Sequence, residues 1–179
     1  MPFALCAAQV LAEEISVPLG LQAELLAKVA AYDRNLKERS GARVHVLIVQ
    51  KSGVEESKAT AARLERAIGD LDSIGGLPHD EAVWSFAGAS ELGEECKKRS
   101  ISLVYLTPGF ESEVGAVRDA LDGMPIMTVS SVADHVPKGI VVGFDLVSGK
   151  PKLLVHLGQA RRQKIAFSPR LLERAQVYR

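Results

Sequence analysis

The residues best suited to chemistry in this 179-residue chain are its four histidines, two of which adjoin an aspartate, in His79-Asp80 and Asp134-His135. Such pairings could seed a metal site or a base oriented by a carboxylate. A locally built metal site needs two ligands at helical i, i+4 spacing or a cysteine pair. The histidines at 45, 79, 135 and 156 offer neither spacing, and Cys6 and Cys96 lie far apart. No metal ligand set and no cofactor is therefore expected. Carboxylates pair at Glu13-Glu14, Glu55-Glu56 and Glu94-Glu95. All three fall on polar helix faces or near the start of the chain, where solvation is the expected state.

Phosphate and nucleophile motifs fail on spacing. A P-loop needs four residues between its first glycine and Gly-Lys, so that backbone amides wrap the phosphates. The one Gly-Lys here, Gly149-Lys150, is followed by Pro151 in a hairpin pattern. No G-x-G-x-x-G follows a strand, which removes the dinucleotide fingerprint. Gly88-Ala-Ser90-Glu-Leu-Gly93 has one residue too many for a nucleophile elbow, and Ser90 reads as a helix N-cap. A phosphoacceptor receiver domain needs carboxylates at the ends of its first and third strands to hold Mg²⁺. Gln50-Lys51-Ser52 and Thr107-Pro108-Gly109 stand there instead. No catalytic residue is assigned.

What remains is a crevice and a basic patch. In an open α/β sheet, ligands bind beyond the carboxyl ends of the strands. Thr107, Gly109, Ser130 and Ser131 fall at such ends, each pair entering a helix whose free amides could hold an anion. Simple capping and turning explains the same residues. Arg161, Arg162 and Lys164 form a basic cluster that is either a partner surface or a solvated face.

The elements that must position these residues follow from periodicity. Leu21, Leu25, Val29, Tyr32 and Leu36 recur at steps of three and four, predicting an amphipathic helix over 21–38 with Asp33 and Arg34 turned outward. Residues 43–49 are a strand buried on both faces. Ser52-Gly53 opens a long helix with core positions Leu64, Ala67, Ile68, Leu71 and Ile74. Strands over 82–87, 102–106 and 126–129 alternate with helices over 89–99 and 110–121, which predicts βαβ units and a mostly parallel sheet. His79-Asp80 falls in a loop. Two strands, 140–147 and 153–157, joined at Ser148-Gly149-Lys150-Pro151, predict an antiparallel hairpin. Ser168-Pro169 starts a closing helix with Leu171, Leu172, Ala175 and Tyr178 inward. The fold class is α/β: a single-domain three-layer sandwich over residues 20–179, with flanking helices.

Composition agrees with a globular chain: 47% hydrophobic, 25% charged, 22 basic against 22 acidic residues. The zero net charge excludes a nucleic-acid binder that relies on bulk positive charge. No run of 18 apolar residues marks a membrane span. The balance hides a dipole: residues 55–122 carry 14 acidic and 7 basic side chains, whereas residues 150–179 carry 8 basic and one acidic. Residues 1–12 are apolar and run into Glu13-Glu14, with Val10-Leu11-Ala12 suiting the positions before a signal cleavage site. The basic n-region is missing, so an ordinary N-terminal strand or helix stays open beside a remnant secretory signal. After such cleavage Cys96 is alone, and it reads as a semi-buried helix residue rather than a nucleophile.

The C-terminal third carries a resemblance. Met127-Thr-Val-Ser-Ser131, Gly139-Ile-Val-Val-Gly-Phe144, Lys152-Leu-Leu-Val-His-Leu157, Ala160-Arg161 and Phe167-Ser168-Pro-Arg-Leu-Leu172-Glu-Arg-Ala175 fall in one order and spacing. They resemble the small periplasmic proteins similar to YfiR and HmsC, and Lys28 to Leu36 resembles that family's opening helix. The chain departs from the pattern at Ser131, where the family usually has Asp, and at His156, where it usually has Asn. It also lacks the cysteine pairs of some members. The resemblance implies a non-enzymatic periplasmic regulator, expected to be dimeric, acting on a membrane-bound signalling protein such as a diguanylate cyclase. The alternative is a small-ligand-binding domain using the strand-end crevice.

Overall fold

The computed structural model describes residues 13–179; the expected signal remnant, residues 1–12, lies outside the described residues. In chain order the elements are α1 (Leu19–Ala30), α2 (Leu36–Ser40), β1 (Val44–Gln50), α3 (Glu55–Gly69), β2 (His79–Ser85), α4 (Ala89–Lys98), β3 (Leu103–Leu106) and α5 (Val114–Leu121). There follow β4 (Met127–Ser130), a 3-10 turn (Ala133–His135), β5 (Val142–Val147), β6 (Lys150–His156), α6 (Leu157–Arg162), α7 (Pro169–Leu172) and β7 (Gln176–Tyr178). Seven strands form one sheet in the order β2-β1-β3-β4-β5-β6-β7. Only the β5–β6 pairing is antiparallel.

Strand side chains alternate between faces, and here each face meets helices. Val46, Ile48, Tyr105 and Val129 pack with Leu26 and Val29 of α1 and Leu64 and Ile68 of α3. Leu47, Val49, Val104 and Leu106 pack with Leu92 and Cys96 of α4 and Val117 and Leu121 of α5. β3 and β4 are buried at every position, as parallel strands covered on both sides must be. Each fully buried aliphatic side chain of these layers contributes about 1.5–3 kcal/mol. The expected three-layer α/β sandwich with its antiparallel hairpin is the observed architecture.

Several local readings are corrected. The helix expected over 21–38 breaks after Ala30, because Asp33 turns inward instead of outward. Asp33 Oδ1 accepts from the amides of Asn35 and Ala166, each at 3.0 Å, and Oδ2 pairs with Arg39 Nε at 2.9 Å. Short acidic side chains compete with the helix by bonding nearby backbone, and Tyr32 is left 37% exposed. α3 stops at Gly69, and Ile74 joins the core from a bridge with Leu77. His79 and Asp80 begin β2 rather than a loop. Gly88, not Ser90, occupies the N-cap of α4.

The hairpin turn is tighter than expected. Ser148 and Gly149 alone make it, with φ of 52° and 74°, the two positive values of a type I′ turn. The closing helix ends at Leu172, and Gln176–Tyr178 instead adds β7 beside β6.

Candidate functional site: the crevice at the strand ends

Strand order dictates where a crevice opens. β1 lies between β2 and β3, so the chain leaves β1 in one lateral direction and β3 in the other. α3, after β1, covers one face, and α5, after β3, covers the opposite face. The diverging connections leave a gap at the carboxyl ends of β1 and β3, the switch point of a doubly wound sheet. Thr107, Gly109, Ser130 and Ser131 all come to this end.

Their hydroxyls serve the frame. Thr107, fully buried, donates to the Val49 carbonyl at 2.8 Å and lies 2.6 Å from Ser57 Oγ. That tie locks the ends of β1 and β3 to the start of α3. Ser131 Oγ donates to the Leu106 carbonyl at 3.2 Å, joining β4 to β3. Gly109 is different. Its φ is +97°, and a Cβ there would lie 3.3 Å from that of Lys51, so only glycine turns its amide into the gap at low cost.

The gap is filled by a residue that sequence reasoning assigned to solvent. Glu13 lowers its carboxylate into the strand ends, with its side chain 9% exposed. Oε2 accepts from the Gly109 amide, and the neighbouring Phe110 amide favours the charged carboxylate. Oε1 lies 2.8 Å from Nε2 of His135, whose side chain is 1% exposed. Burial alone pushes the Glu13 carboxyl up. The hydrogen bond and charge of His135, together with the Gly109 and Phe110 amides, outweigh it and hold the group below the usual carboxylate range.

His135 is itself held from behind. Its Nδ1 lies 2.7 Å from Ser130 Oγ, which also accepts from the Val132 amide at 3.0 Å. The ionised Glu13 carboxylate can only accept, so Nε2 carries the proton and donates to it, while Ser130 Oγ either donates to Nδ1 or accepts from it. A serine, a histidine and a glutamate thus stand in line, the residue types of a hydrolytic triad. Ser130 Oγ is fully buried behind the imidazole. In this arrangement the line positions the carboxylate.

The segment 13–17 forms a strap across the strand ends. Val17 is fully buried, and its carbonyl accepts from Gln22 Nε2 at 2.8 Å. Gln22 also donates to the Ser131 carbonyl and accepts from Tyr105 Oη at 2.7 Å. Ser16 Oγ donates to Asp145 at 2.9 Å. Concavities flank the strap on both sides: one toward Glu56 and Arg63 of α3, the other toward Asp134 and Asp145.

The basic cluster lies elsewhere. β6 runs against the parallel strands, so α6 emerges at their amino end, opposite the crevice. Arg162 Nε pairs with Asp122 at 3.0 Å, both about half exposed, one direct link between the basic C-terminal segment and the acidic body. Arg161 and Lys164 are exposed. His156 Nδ1 accepts from the Gln159 amide at 3.1 Å, capping α6 in the manner open to the asparagine expected there. A further cavity of about 360 Å³ lies between α1, the hairpin and α7, with Leu25, Phe144 and Leu153 beside Lys28, Arg170 and Arg174. Cys96 is buried, and its thiol is pushed up to about 12 by burial and by Glu95, far from thiolate reactivity at neutral pH. Among the described residues no three His, Cys, Asp or Glu side chains converge as a metal set.

Comparison with known proteins places this fold and this chain. The ABC domain from Streptococcus pneumonia, solved with L-Trp, aligns with a TM-score of 0.63 at 11% identity over 90% of this chain and 62% of its own. A conserved domain protein from Vibrio cholerae aligns with a TM-score of 0.61 at 12% identity over 90% and 60%. The ligand-free, open structure of a substrate-binding protein with adhesive properties from Clostridium difficile gives 0.60 at 13% over 93% and 61%. The chain therefore spans about three fifths of each of these structures, and the likeness is one of fold. No curated protein matches the sequence significantly. The family comparison is decisive: residues 21–176, from α1 to the first residue of β7, match the YfiR/HmsC-like profile, and the chain belongs to that family.

Proposed function

We propose that the protein is a non-enzymatic regulatory or sensor domain, exported to the periplasm, that acts by contact with a membrane-bound signalling protein such as a diguanylate cyclase. Family membership over residues 21–176 carries this reading. Among the described residues no helix is long and apolar enough to cross a membrane. The exposed basic cluster of Arg161, Arg162 and Lys164 is the surface offered for it, and self-association as a homodimer accompanies it. Fractionation tests the reading. A processed chain in the periplasm that co-purifies with a membrane signalling protein supports it, and a wholly cytosolic, unprocessed chain overturns it.

A second reading, binding of a small ligand in the strand-end crevice, is favoured by one observation. The Gly109 amide and His135 already hold a carboxylate there. Ligand binding stabilises a fold as RT ln(1 + [L]/Kd), so a metabolite screen by thermal shift tests it. A hit that raises Tm by several degrees supports the reading. Uniform silence across soluble carboxylates, nucleotides and sugars counts against it.

A further inference from the structure

We infer that the crevice at the ends of β1, β3 and β4 is a receptor for the carboxylate of a small solute, and that Glu13 is its in-chain occupant, which the solute must displace. The inference rests on the second reading above, that this crevice takes a small ligand. It names the ligand's chemistry and the group that competes for the same donors.

Three independent features converge. First, the donors come from separate stretches of chain and meet at one point. The Gly109 and Phe110 amides arrive from the turn after β3, and His135 arrives from the 3-10 turn after β4. The relay through Ser130 and Val132 fixes the imidazole with Nε2 directed into the gap. A polar group this deeply buried requires a partner. With the strap lifted, the Nε2–H of His135 points into the vacated slot, and an incoming carboxylate satisfies it and both amides together.

Second, Glu13 is held at the near end of a short strap rather than within a helix or strand. The strap's firm anchors lie further along, at Val17 and Gln22. Among the described residues, the Ser16 side chain is tied to Asp145 on the hairpin. Displacing Glu13 therefore breaks the carboxylate's own bonds and leaves the α1 packing in place.

Third, the strap divides open space. The concavity on the α3 side includes Glu56 and Arg63, and the one on the hairpin side includes Asp134 and Asp145. Both border residues of the strap itself, so withdrawal of Glu13 joins them over the donor set. A solute carrying a carboxylate then has both the recognition point and room for its remaining atoms. Intramolecular groups on short tethers compete at millimolar effective concentrations, so the in-chain carboxylate sets a threshold that weak solutes do not pass.

The test uses the full chain, with ¹⁵N-labelled amides observed during titration with sodium acetate and, as control, sodium chloride at equal ionic strength. Wild type is compared with Glu13→Ala and with Glu13→Gln, which preserves length and an acceptor but removes the charge. Acetate is expected to move the Gly109 and Phe110 amides in Glu13→Ala with at least tenfold tighter apparent affinity than in wild type. Glu13→Gln is expected to fall between the two. Equal titration of wild type and variants overturns the competition, while leaving ligand binding intact. A well-dispersed Glu13→Ala spectrum in which acetate moves neither amide overturns the receptor itself. A metabolite that stabilises the protein without disturbing those amides also overturns this inference, and ligand binding then lies away from this donor set.

Discussion

Two carboxylates turned inward close the two ends of this sheet, and they do so with similar parts. At the amino end of β3, Asp33 accepts from the Asn35 and Ala166 amides and pairs with Arg39, which also donates to the Ser102 carbonyl. At the carboxyl end of β3, Glu13 accepts from the Gly109 amide, beside that of Phe110, and pairs with His135. Each clamp joins segments more than ninety residues apart: Asp33 to Ala166 across 133 positions, Glu13 to Gly109 across 96. The bases differ. An arginine stays charged in a protein, whereas a histidine can hold a carboxylate as a neutral donor. The settings differ too. Asp33 sits in the tight turn between α1 and α2, its side chain fully buried, and Glu13 rides on a strap. The same arrangement of amides and base gives a permanent lock at one end and an exchangeable closure at the other.

The largest effect is expected at the lock. Removing one member of a buried, hydrogen-bonded ion pair leaves an uncompensated charge and costs about 3–5 kcal/mol. Arg39→Ala and Asp33→Ala should each lower the urea midpoint by that equivalent with an unchanged m-value. Asp33→Ala also orphans two amides, so it should be the worse of the two. If either variant loses less than 1 kcal/mol, the Asp33 clamp is no lock, and the contrast between the ends fails.

An intermediate effect is expected where the strap meets its base. His135→Ala deletes the donor to Glu13 and the ring partner of Ser130, and leaving buried polar groups unpaired costs about 1–3 kcal/mol. The loss should be smaller than for Arg39→Ala, because Glu13 can turn out to water and Asp33 cannot. Hydrogen exchange separates the two. The Gly109 amide should exchange faster in His135→Ala while the Ala166 amide keeps its wild-type protection. Equal acceleration at both ends would mean that the two clamps share one opening event.

Neither clamp was legible in the sequence, although the frame that carries them was. Strands dense in Val, Ile and Leu, set between helices of 3.6 period, report contacts made along each element, and these sufficed for the sandwich and the hairpin. Thr107, Gly109, Ser130 and Ser131 were legible as strand ends, because turn residues follow apolar runs. Glu13 finds its partners only after the chain has folded back, so no local pattern marks it; Asp33 bonds Asn35 and Arg39 close by but reaches Ala166 only across 133 positions. Asp33 even fits the polar face of a helix continued to residue 38, with Tyr32 and Leu36 keeping the apolar step. β7 was hidden similarly. Leu171, Leu172, Ala175 and Tyr178 satisfy helical spacing, and a three-residue strand is too short to show alternation.

The smallest effect, and the finest probe of the exchangeable end, is the charge on Glu13. Glu13→Gln keeps the length of the side chain and one acceptor oxygen, so its cost near neutral pH should be about 1 kcal/mol, the net worth of one ordinary hydrogen bond. That cost should depend on pH in a fixed direction. The folded pKa of Glu13 is lowered relative to an unfolded glutamate at about 4.3. The folded state therefore binds the proton less readily than the unfolded state, and ionised Glu13 contributes its stability above the unfolded value. That contribution fades as pH falls through the folded value, where the wild-type carboxyl becomes as neutral as glutamine. Denaturation of both proteins at intervals from pH 7 to pH 3 should show their stabilities converging on acidification. Parallel curves across that range would mean that Glu13 spends its time in water, and the carboxyl end of the sheet would then be open rather than closed by its own chain.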